Sequence, residues 1–314
     1  MKYIFEMKYI FGPVFSRRLG LSLGVDLVPH KVCSMDCLYC EVGPTTEKTL
    51  ERAEYVPLSG VISELKEYFS YKPEIDYVTF SGYGEPTLFS RLGELVDFLK
   101  DNYPYRLALL TNSSLLKRDD VLKEIKRIDL VLPSLDAGSE EVFRKVNRPV
   151  PGLSLKDVVE GIGRLISETP CQVWIETLFV KGINDSPEEV ERIGNLIHSL
   201  KPHKWQLNTV SRPPAYGVKG LSYEELEEIS RRVGYPSTEI ISKGVASRKK
   251  VPISQVKEEV YDIVVRRPCP IDELCDALGV LREEVEEAVE ELIKEGKVKE
   301  LYFGGEPYVK GISG

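Results

Sequence analysis

Residues 24–40 read GVDLVPHKVCSMDCLYC. A strand-length apolar run, GVDLV (24–28), leads directly into three cysteines spaced C-x3-C-x2-C at Cys33, Cys37 and Cys40. The run recurs downstream as IDYVTF (75–80), YRLALL (105–110), IDLVLPSL (128–135), VWIETLFV (173–180) and KWQLNTV (204–210). Each is rich in Val, Ile, Leu or aromatics, as buried strands are. Amphipathic helical patterns lie between and after the runs, at 58–70, 88–101, 115–127, 154–168, 187–199 and 222–233. Ser186-Pro187-Glu188-Glu189 places a cap residue before a helix-starting proline, and Ser222 through Glu225 spells a capping box. Six strand–helix units with near-continuous apolar strands mean an α/β fold with a parallel sheet under helices. An incomplete (β/α) barrel and a doubly wound sheet both fit, and both gather chemistry at the C-terminal ends of the strands.

The cysteine cluster sits at such an end. Three thiolates can hold three irons of a cubane and leave the fourth iron open to a cofactor. The rival is a closed zinc site with His30, the one nearby histidine, as fourth ligand. Zinc knuckles, however, pair two cysteines with two further ligands downstream, and no second pair follows here. Cys171, Cys269 and Cys275 are scattered: Cys171 reads as packed in a strand, and the other two lack the ligands for a second metal. A secreted disulfide framework would be denser.

The next strand ends in Ser81-Gly82-Tyr83-Gly84-Glu85-Pro86. Glycine suits close backbone approach to a ligand, though a plain turn also uses it. Polar residues recur at later ends: Asn112 (in Thr111-Asn112-Ser113), Ser134, Asp136, Glu176, and Asn208 beside Thr209. Taken together, the cysteine spacing and these motifs resemble the radical S-adenosylmethionine (SAM) superfamily. Residues 10–245 are similar to its iron–sulfur oxidoreductase branch related to the archaeal wyosine tRNA synthase, through GPVFSRRLGLSLGVDLVP, SGYGEPTL, SLDAGSEEVFRKVNRP, LFVKGINDS and QLNTVSRPP.

The resemblance implies a partial (β/α)6 TIM-like barrel, a [4Fe–4S] cluster on Cys33, Cys37 and Cys40, and SAM as cofactor. Tyr39 matches the aromatic that contacts adenine, and Gly82, Gly84 and Glu85 match the motif that binds the SAM amino group. Asn112, Ser134, Asp136, Glu176 and Asn208 stand where similar proteins hold the ribose, the SAM carboxylate or the substrate. Reductive cleavage of SAM would yield a 5′-deoxyadenosyl radical that abstracts a substrate hydrogen, with an electron donor such as ferredoxin or flavodoxin. Wyosine synthase carries upstream cysteines for a second cluster, whereas no cysteine precedes Cys33; that activity does not carry over. Arg148 and Arg212 can bind carboxylate or phosphate, or simply face solvent.

The organisation expected is a 1–245 catalytic domain, a 246–252 linker and a 253–314 domain. The first six residues, MKYIFE, are echoed at 7–12, and Met7 reads as the working start. Three helices (253–265, 270–278, 281–295) and a hairpin around Gly304-Gly305 make a winged-helix pattern. Residues 253–314 hold 8 Lys and Arg against 15 Asp and Glu, a net of −7 out of the chain's −8. Seven glutamates crowd the third helix, from Glu283 to Glu295. DNA binding needs cations there, so protein docking, substrate presentation or a structural role is expected instead. Lys243, Arg248, Lys249 and Lys250 form the one stretch suited to RNA or a phosphorylated ligand; a solvated linker is the plain alternative. The substrate is expected to be a tRNA base, as for the relatives, or a protein or peptide, as in glycyl-radical activation. A non-catalytic iron–sulfur DNA sensor is the third alternative. No apolar run reaches the ~18 residues that span a bilayer, and no signal-peptide core appears, so a cytoplasmic location is expected.

Overall fold

The computed structural model describes residues 7–16, 18–241 and 256–312. The chain starts with an antiparallel hairpin, β1 (Ile10–Ser16) and β2 (Gly20–Val25). Two short paired strands, β3 (Val32–Cys33) and β4 (Glu47–Lys48), frame the cysteine segment. Helix and strand then alternate: α1 (Leu58–Phe69), β5 (Tyr77–Phe80), α2 (Leu92–Asn102), β6 (Arg106–Thr111), α3 (Asp119–Ile125), β7 (Leu130–Pro133), α4 (Glu140–Val146), α5 (Leu155–Glu168), β8 (Gln172–Phe179), α6 (Pro187–Leu200), β9 (Lys204–Thr209), α7 (Tyr223–Val233) and β10 (Thr238–Ile240). The main sheet is ordered β1-β2-β5-β6-β7-β8-β9-β10 and is parallel from β2 onward. This is an α/β fold with a mostly parallel sheet, as a partial barrel requires.

The period-2 geometry of a strand divides its side chains between two faces. Val78, Phe80, Leu107, Leu109, Val131, Val173 and Ile175 join the large core under the helices. Their neighbours Tyr77, Ala108, Leu130 and Leu132, with Leu110 and Trp174, form a small separate cluster on the other face. Because both faces of β5 and β7 are covered, all their residues are buried and they read as unbroken apolar runs. Strand β8 alternates instead: Val173, Ile175, Thr177 and Phe179 are buried, while Trp174, Glu176 and Leu178 are partly open. Beyond the small cluster the inner face is polar, with Ser22 and Thr79 hydrogen-bonded at 2.5 Å.

The helix starts follow the expected chemistry. Ser186 caps α6 by accepting from the Glu189 N–H, with Pro187 in the first turn. Ser222 and Glu225 form the reciprocal capping box of α7. Boundaries shift where side chains intervene. The helix expected from residue 88 begins at Leu92, because residues 86–88 form a tight turn capped by the Glu85 side chain. Helix α3 begins at Asp119 rather than 115. Strand β1 and helix α4 were not expected. The run expected as a strand at 24–28 ends at Val25, where the Asp26 carboxylate turns to other partners. No described helix is long and apolar enough to cross a membrane.

Three helices and a hairpin complete the described chain: α8 (Val256–Arg266), α9 (Ile271–Leu278), α10 (Arg282–Lys294), β11 (Val298–Phe303) and β12 (Glu306–Gly311). Gly279 ends α9 in the left-handed region, at φ +65°, where glycine is the low-cost residue. Val260, Val264, Leu274, Val285, Val289, Leu292 and Val309 make a core of their own. It is not detached, since Val14 of β1 packs against it. The expected linker and the basic stretch Lys243 to Lys250 lie outside the described residues.

Candidate functional site

The cysteine segment is held along both sides by backbone hydrogen bonds. On one side, Asp36 N–H donates to Asn147 O, Leu38 N–H to Val146 O, and Val150 N–H to Ser34 O. On the other, Ala215 N–H donates to Cys40 O and Tyr216 N–H to Leu38 O. The Asp36 carboxylate ties the two together, accepting from Thr45 N–H (2.8 Å) and the Tyr216 hydroxyl (2.8 Å) and pairing with Arg148 at 3.0 Å. Burial would raise its pKa, but these donors outweigh burial and hold it below the usual carboxylate range.

Each of the three thiols faces one nitrogen. Lys31 Nζ donates to Cys40 Sγ at 3.0 Å, Asn112 Nδ2 to Cys33 Sγ at 3.3 Å, and Asn147 Nδ2 to Cys37 Sγ at 3.5 Å. The described chain has five non-glycine residues at positive φ, and three belong to this arrangement. Lys31 is one of the donors (φ +60°), while Ser113 (φ +70°) and Arg148 (φ +49°) directly follow the other two. Such backbone costs about 1–3 kcal/mol per residue, and strain of this kind gathers where it serves a site. Burial lowers the Lys31 pKa, but the neighbouring cysteines outweigh it, so the ammonium is held charged.

Glu85 is buried, and its carboxylate accepts four hydrogen bonds. Oε1 takes Thr87 N–H (3.1 Å), Thr87 Oγ1 (2.6 Å) and Thr111 Oγ1 (2.7 Å), and Oε2 takes Asn112 N–H (2.7 Å). Burial raises its pKa against these donors. Glu85 therefore fixes the backbone of Asn112, the residue that reaches Cys33. A Cβ on Gly82 would lie 1.4 Å from Asp26 Oδ1, and one on Gly84 would lie 1.9 Å from the Val32 carbonyl oxygen. Gly82 also sits at φ +134°. The demand for glycine at both positions comes from protein packing.

At the later strand ends, Asp136 accepts from the Tyr39 hydroxyl, from Asn147 Nδ2 (2.7 Å) and from Leu178 N–H (2.9 Å). Burial pushes Asp136 up to about 6 in spite of them. Tyr39, Asp136 and Asn147 thus form one group beside Cys37, and Asn147 Oδ1 is buried with no partner among the described residues. Glu176 and Asn208 make a second group: Asn208 Nδ2 donates to Glu176 Oε1 (2.6 Å), and Arg18 pairs with the other carboxylate oxygen. Ser134 is held through its backbone, to Thr111 and across to Glu176. Sequence reasoning missed Lys31, Asn147, Arg18 and Asp26. Arg18 and Asp26 lie within the GPVFSRRLGLSLGVDLVP motif and Asn147 within SLDAGSEEVFRKVNRP, but nothing local marked any of the four as a site residue.

Arg148 and Arg212 have protein partners. Arg148 stacks over Tyr216, with its guanidinium 4.3 Å from the ring centroid, while pairing with Asp36. Arg212 is buried between Glu41 (3.3 Å) and Glu273 (2.5 Å), so an exposed arginine is not what the structure has here. Between the inner face of the sheet and α8 lies a cavity of about 270 Å³. Ser22, Thr79 and Asn208 line it from the sheet, Gly82 from the loop after β5, and Ile263 and Arg266 from α8.

The donor set fits an iron–sulfur cluster. Burial pushes the Cys33 thiol up to about 11 and raises Cys37 as well, so free thiols there would be protonated and a cationic metal is what replaces the protons. Among the described residues no three His, Cys, Asp or Glu side chains converge on one point; each thiol instead has its own nitrogen. N–H donors to cysteine sulfur are the contacts that metal-bound thiolates take.

A profile of the radical SAM superfamily matches residues 27–196. The "GTPase Obg" of Brachyspira hyodysenteriae is 33% identical over 96% of this chain, which spans 45% of that protein's length. The UPF0026 protein of Methanocaldococcus jannaschii is 32% identical over 98% of this chain and 97% of its own. Among solved structures, a radical SAM methyltransferase from Sphaerobacter thermophilus superposes with a TM-score of 0.54 at 18% identity, over 71% of this chain and 67% of that one. That likeness is one of fold.

Proposed function

Because the chain belongs to the radical SAM superfamily, we propose that Cys33, Cys37 and Cys40 hold its cluster and that a substrate hydrogen is abstracted in the cavity between the sheet and α8. The protein is an enzyme of that superfamily, and its cofactors are a [4Fe–4S] cluster and SAM. When bound, they supply the radical chemistry: one electron splits SAM into methionine and a 5′-deoxyadenosyl radical, which takes a hydrogen atom.

The chain's own residues do the rest. The observation that carries the reading is the set of three N–H···S contacts, one per thiol, from Lys31, Asn112 and Asn147. Glu85 holds Asn112 in place, and its Oε2 keeps one acceptor position for an ammonium such as that of SAM. Gly82 and Gly84 let that loop pack against Asp26 and Val32. Tyr39, anchored on Asp136, offers a fixed aromatic face for adenine. Ser134, Glu176 and Asn208 border the place where ribose, the SAM carboxylate and the substrate would meet.

The cavity beside α8, of about 270 Å³, is where the substrate would enter. We assign a tRNA base as substrate, on the likeness of residues 10–245 to the wyosine branch. The acidic face of α10 favours a second reading, a protein or peptide substrate, because Glu283, Glu287 and Glu290 are exposed and repel phosphate. Tight, salt-sensitive tRNA binding supports the first and its absence the second. We read residues 253–314 as a winged-helix-like domain with no DNA role and 1–245 as the catalytic domain. We place the protein in the cytoplasm, reduced by a ferredoxin or flavodoxin. The test is anaerobic reconstitution with dithionite: the wild type should form 5′-deoxyadenosine, and Cys33→Ala, Cys37→Ala and Cys40→Ala should each abolish it. Activity surviving in all three, or a zinc site completed by His30, overturns the assignment.

A further inference from the structure

The contacts between the C-terminal helices and the rest of the chain include two ion-paired arginines, and both act on loops of the proposed cofactor site. Arg266, at the end of α8, reaches Asp26 Oδ2 at 3.2 Å. The other oxygen of Asp26 accepts the Tyr83 N–H at 2.9 Å, inside the Gly82–Glu85 loop. The same guanidinium lies 4.5 Å from the Phe11 ring centroid and 5.7 Å from that of Tyr83. The two side chains are 12% and 4% exposed, too deep for a rim contact. The second link runs Glu273–Arg212–Glu41, from α9 to the residue after Cys40, with Arg212 itself 7% exposed. Tyr308 adds a hydrogen bond to the Ser211 carbonyl at 3.0 Å.

Buried charge pairs cost desolvation that is recovered only in good geometry, and removing one partner leaves the other charge uncompensated. Losing either charge would therefore weaken the docking of the C-terminal helices. Their inner partners do not lie on the far side of the sheet. One positions the loop read as holding the SAM amino group, and the other positions the cysteine segment.

We propose that the C-terminal helices act as a clamp that sets the SAM-binding loops, with Arg266 and Asp26 as positioning residues for the Gly82–Glu85 loop. The clamp couples two sites, so the effect is reciprocal: docking raises affinity for SAM, and SAM tightens docking. This rests on the reading of that loop as a SAM site, and the experiment separates the two.

The full-length, cluster-loaded protein is titrated with SAM by equilibrium binding, with iron content and the cluster's paramagnetic signal recorded in parallel. Wild type should bind SAM, and SAM should slow proteolysis of the C-terminal helices. Arg266→Met should weaken SAM binding about tenfold, the loss of about 1.4 kcal/mol, with iron content unchanged. Arg266→Lys should recover part of that loss. Arg282→Ala, on exposed α10, should bind as wild type. Asp26→Asn keeps the acceptor for Tyr83 and loses the charge, so it should fall between wild type and Arg266→Met; it carries the test alone if Arg266→Met does not fold. Wild-type affinity in both Arg266→Met and Asp26→Asn refutes the clamp. A cluster-loaded wild type that binds no SAM refutes the SAM reading and the clamp with it.

Discussion

The nitrogen beside each cysteine sulfur sets more than geometry. An N–H···S contact favours the more negative state of a bound cluster, so it raises the cluster's reduction potential. Lys31, Asn112 and Asn147 supply one contact each. Only the difference in a contact's strength between the two redox states moves the potential; a difference on the order of 1 kcal/mol corresponds to about 40 mV for a one-electron couple, so losing one contact should lower the potential by about that much. Redox titration of Lys31→Met, Asn112→Leu and Asn147→Leu should show this, with Lys31→Met shifting furthest because a charge is lost as well. Three unshifted potentials would show that the nitrogens only pack. Sequence made the cysteines legible at this scale because their spacing is local. It could not reveal Lys31 or Asn147: Lys31 works through an unusual backbone angle, and Asn147 reaches Cys37 across 110 positions. Glu85 was legible as a site residue, but not as a carboxylate already holding four protein donors.

Glycine separates the elements that tolerate change from those that do not. A methyl at Gly84 would meet the backbone carbonyl of Val32 at 1.9 Å, next to Cys33 in β3, and nothing flexible can move aside. Gly84→Ala should destabilise the fold by about 3 kcal/mol or more and lower iron loading, read by thermal melting and iron analysis. Gly163, inside α5, is the opposite case. Its nearest neighbour would be Leu200 Cδ2 at 3.6 Å, an ordinary contact. Gly163→Ala should stabilise by about 0.4–1 kcal/mol, through helix propensity and a less flexible unfolded chain. A melting point that falls in Gly163→Ala would contradict this. Five of the six expected parallel strands are present because burial on the sheet leaves a continuous apolar imprint, while the run at 24–28 meets β2 only at Gly24 and Val25. Strand β1 left none, since Gly12 and Pro13 interrupt it and its pairing slips between Phe11 and Val14. The start of α2 was misplaced because the Glu85 side chain, and not a local cap motif, organises residues 86–88.

The joint between the two cores carries a titration. Burial pushes Asp26 up to about 6 although Arg266 pulls it down. A carboxyl whose folded pKa is raised binds its proton more tightly when folded, so its contribution is most favourable below about pH 4 and is lost as pH rises towards 6. Relative to Asp26→Asn, which does not titrate, the wild type should lose on the order of 3 kcal/mol across that window. Chemical denaturation of both proteins at pH 4, 5, 6 and 7 measures it, and a constant difference would mean that Asp26 does not titrate there. Sequence gave the right contents for the C-terminal helices and their acidic surface, but not where they dock. Docking depends on single long-range pairs such as Arg266 with Asp26, 240 positions apart, which leave no periodic trace.

Strand β1 forms one border of the eight-stranded sheet, and α8 lies against it. An unprotected sheet border is a template for pairing with other chains. During synthesis α8 leaves the ribosome more than two hundred residues after β1. At translation rates of ~5–20 residues per second, that border stays bare for ~10 seconds or longer before its cover arrives. The nascent chain is thus exposed to self-association through that interval, and a chaperone that occupies β1 would be of most use to it then.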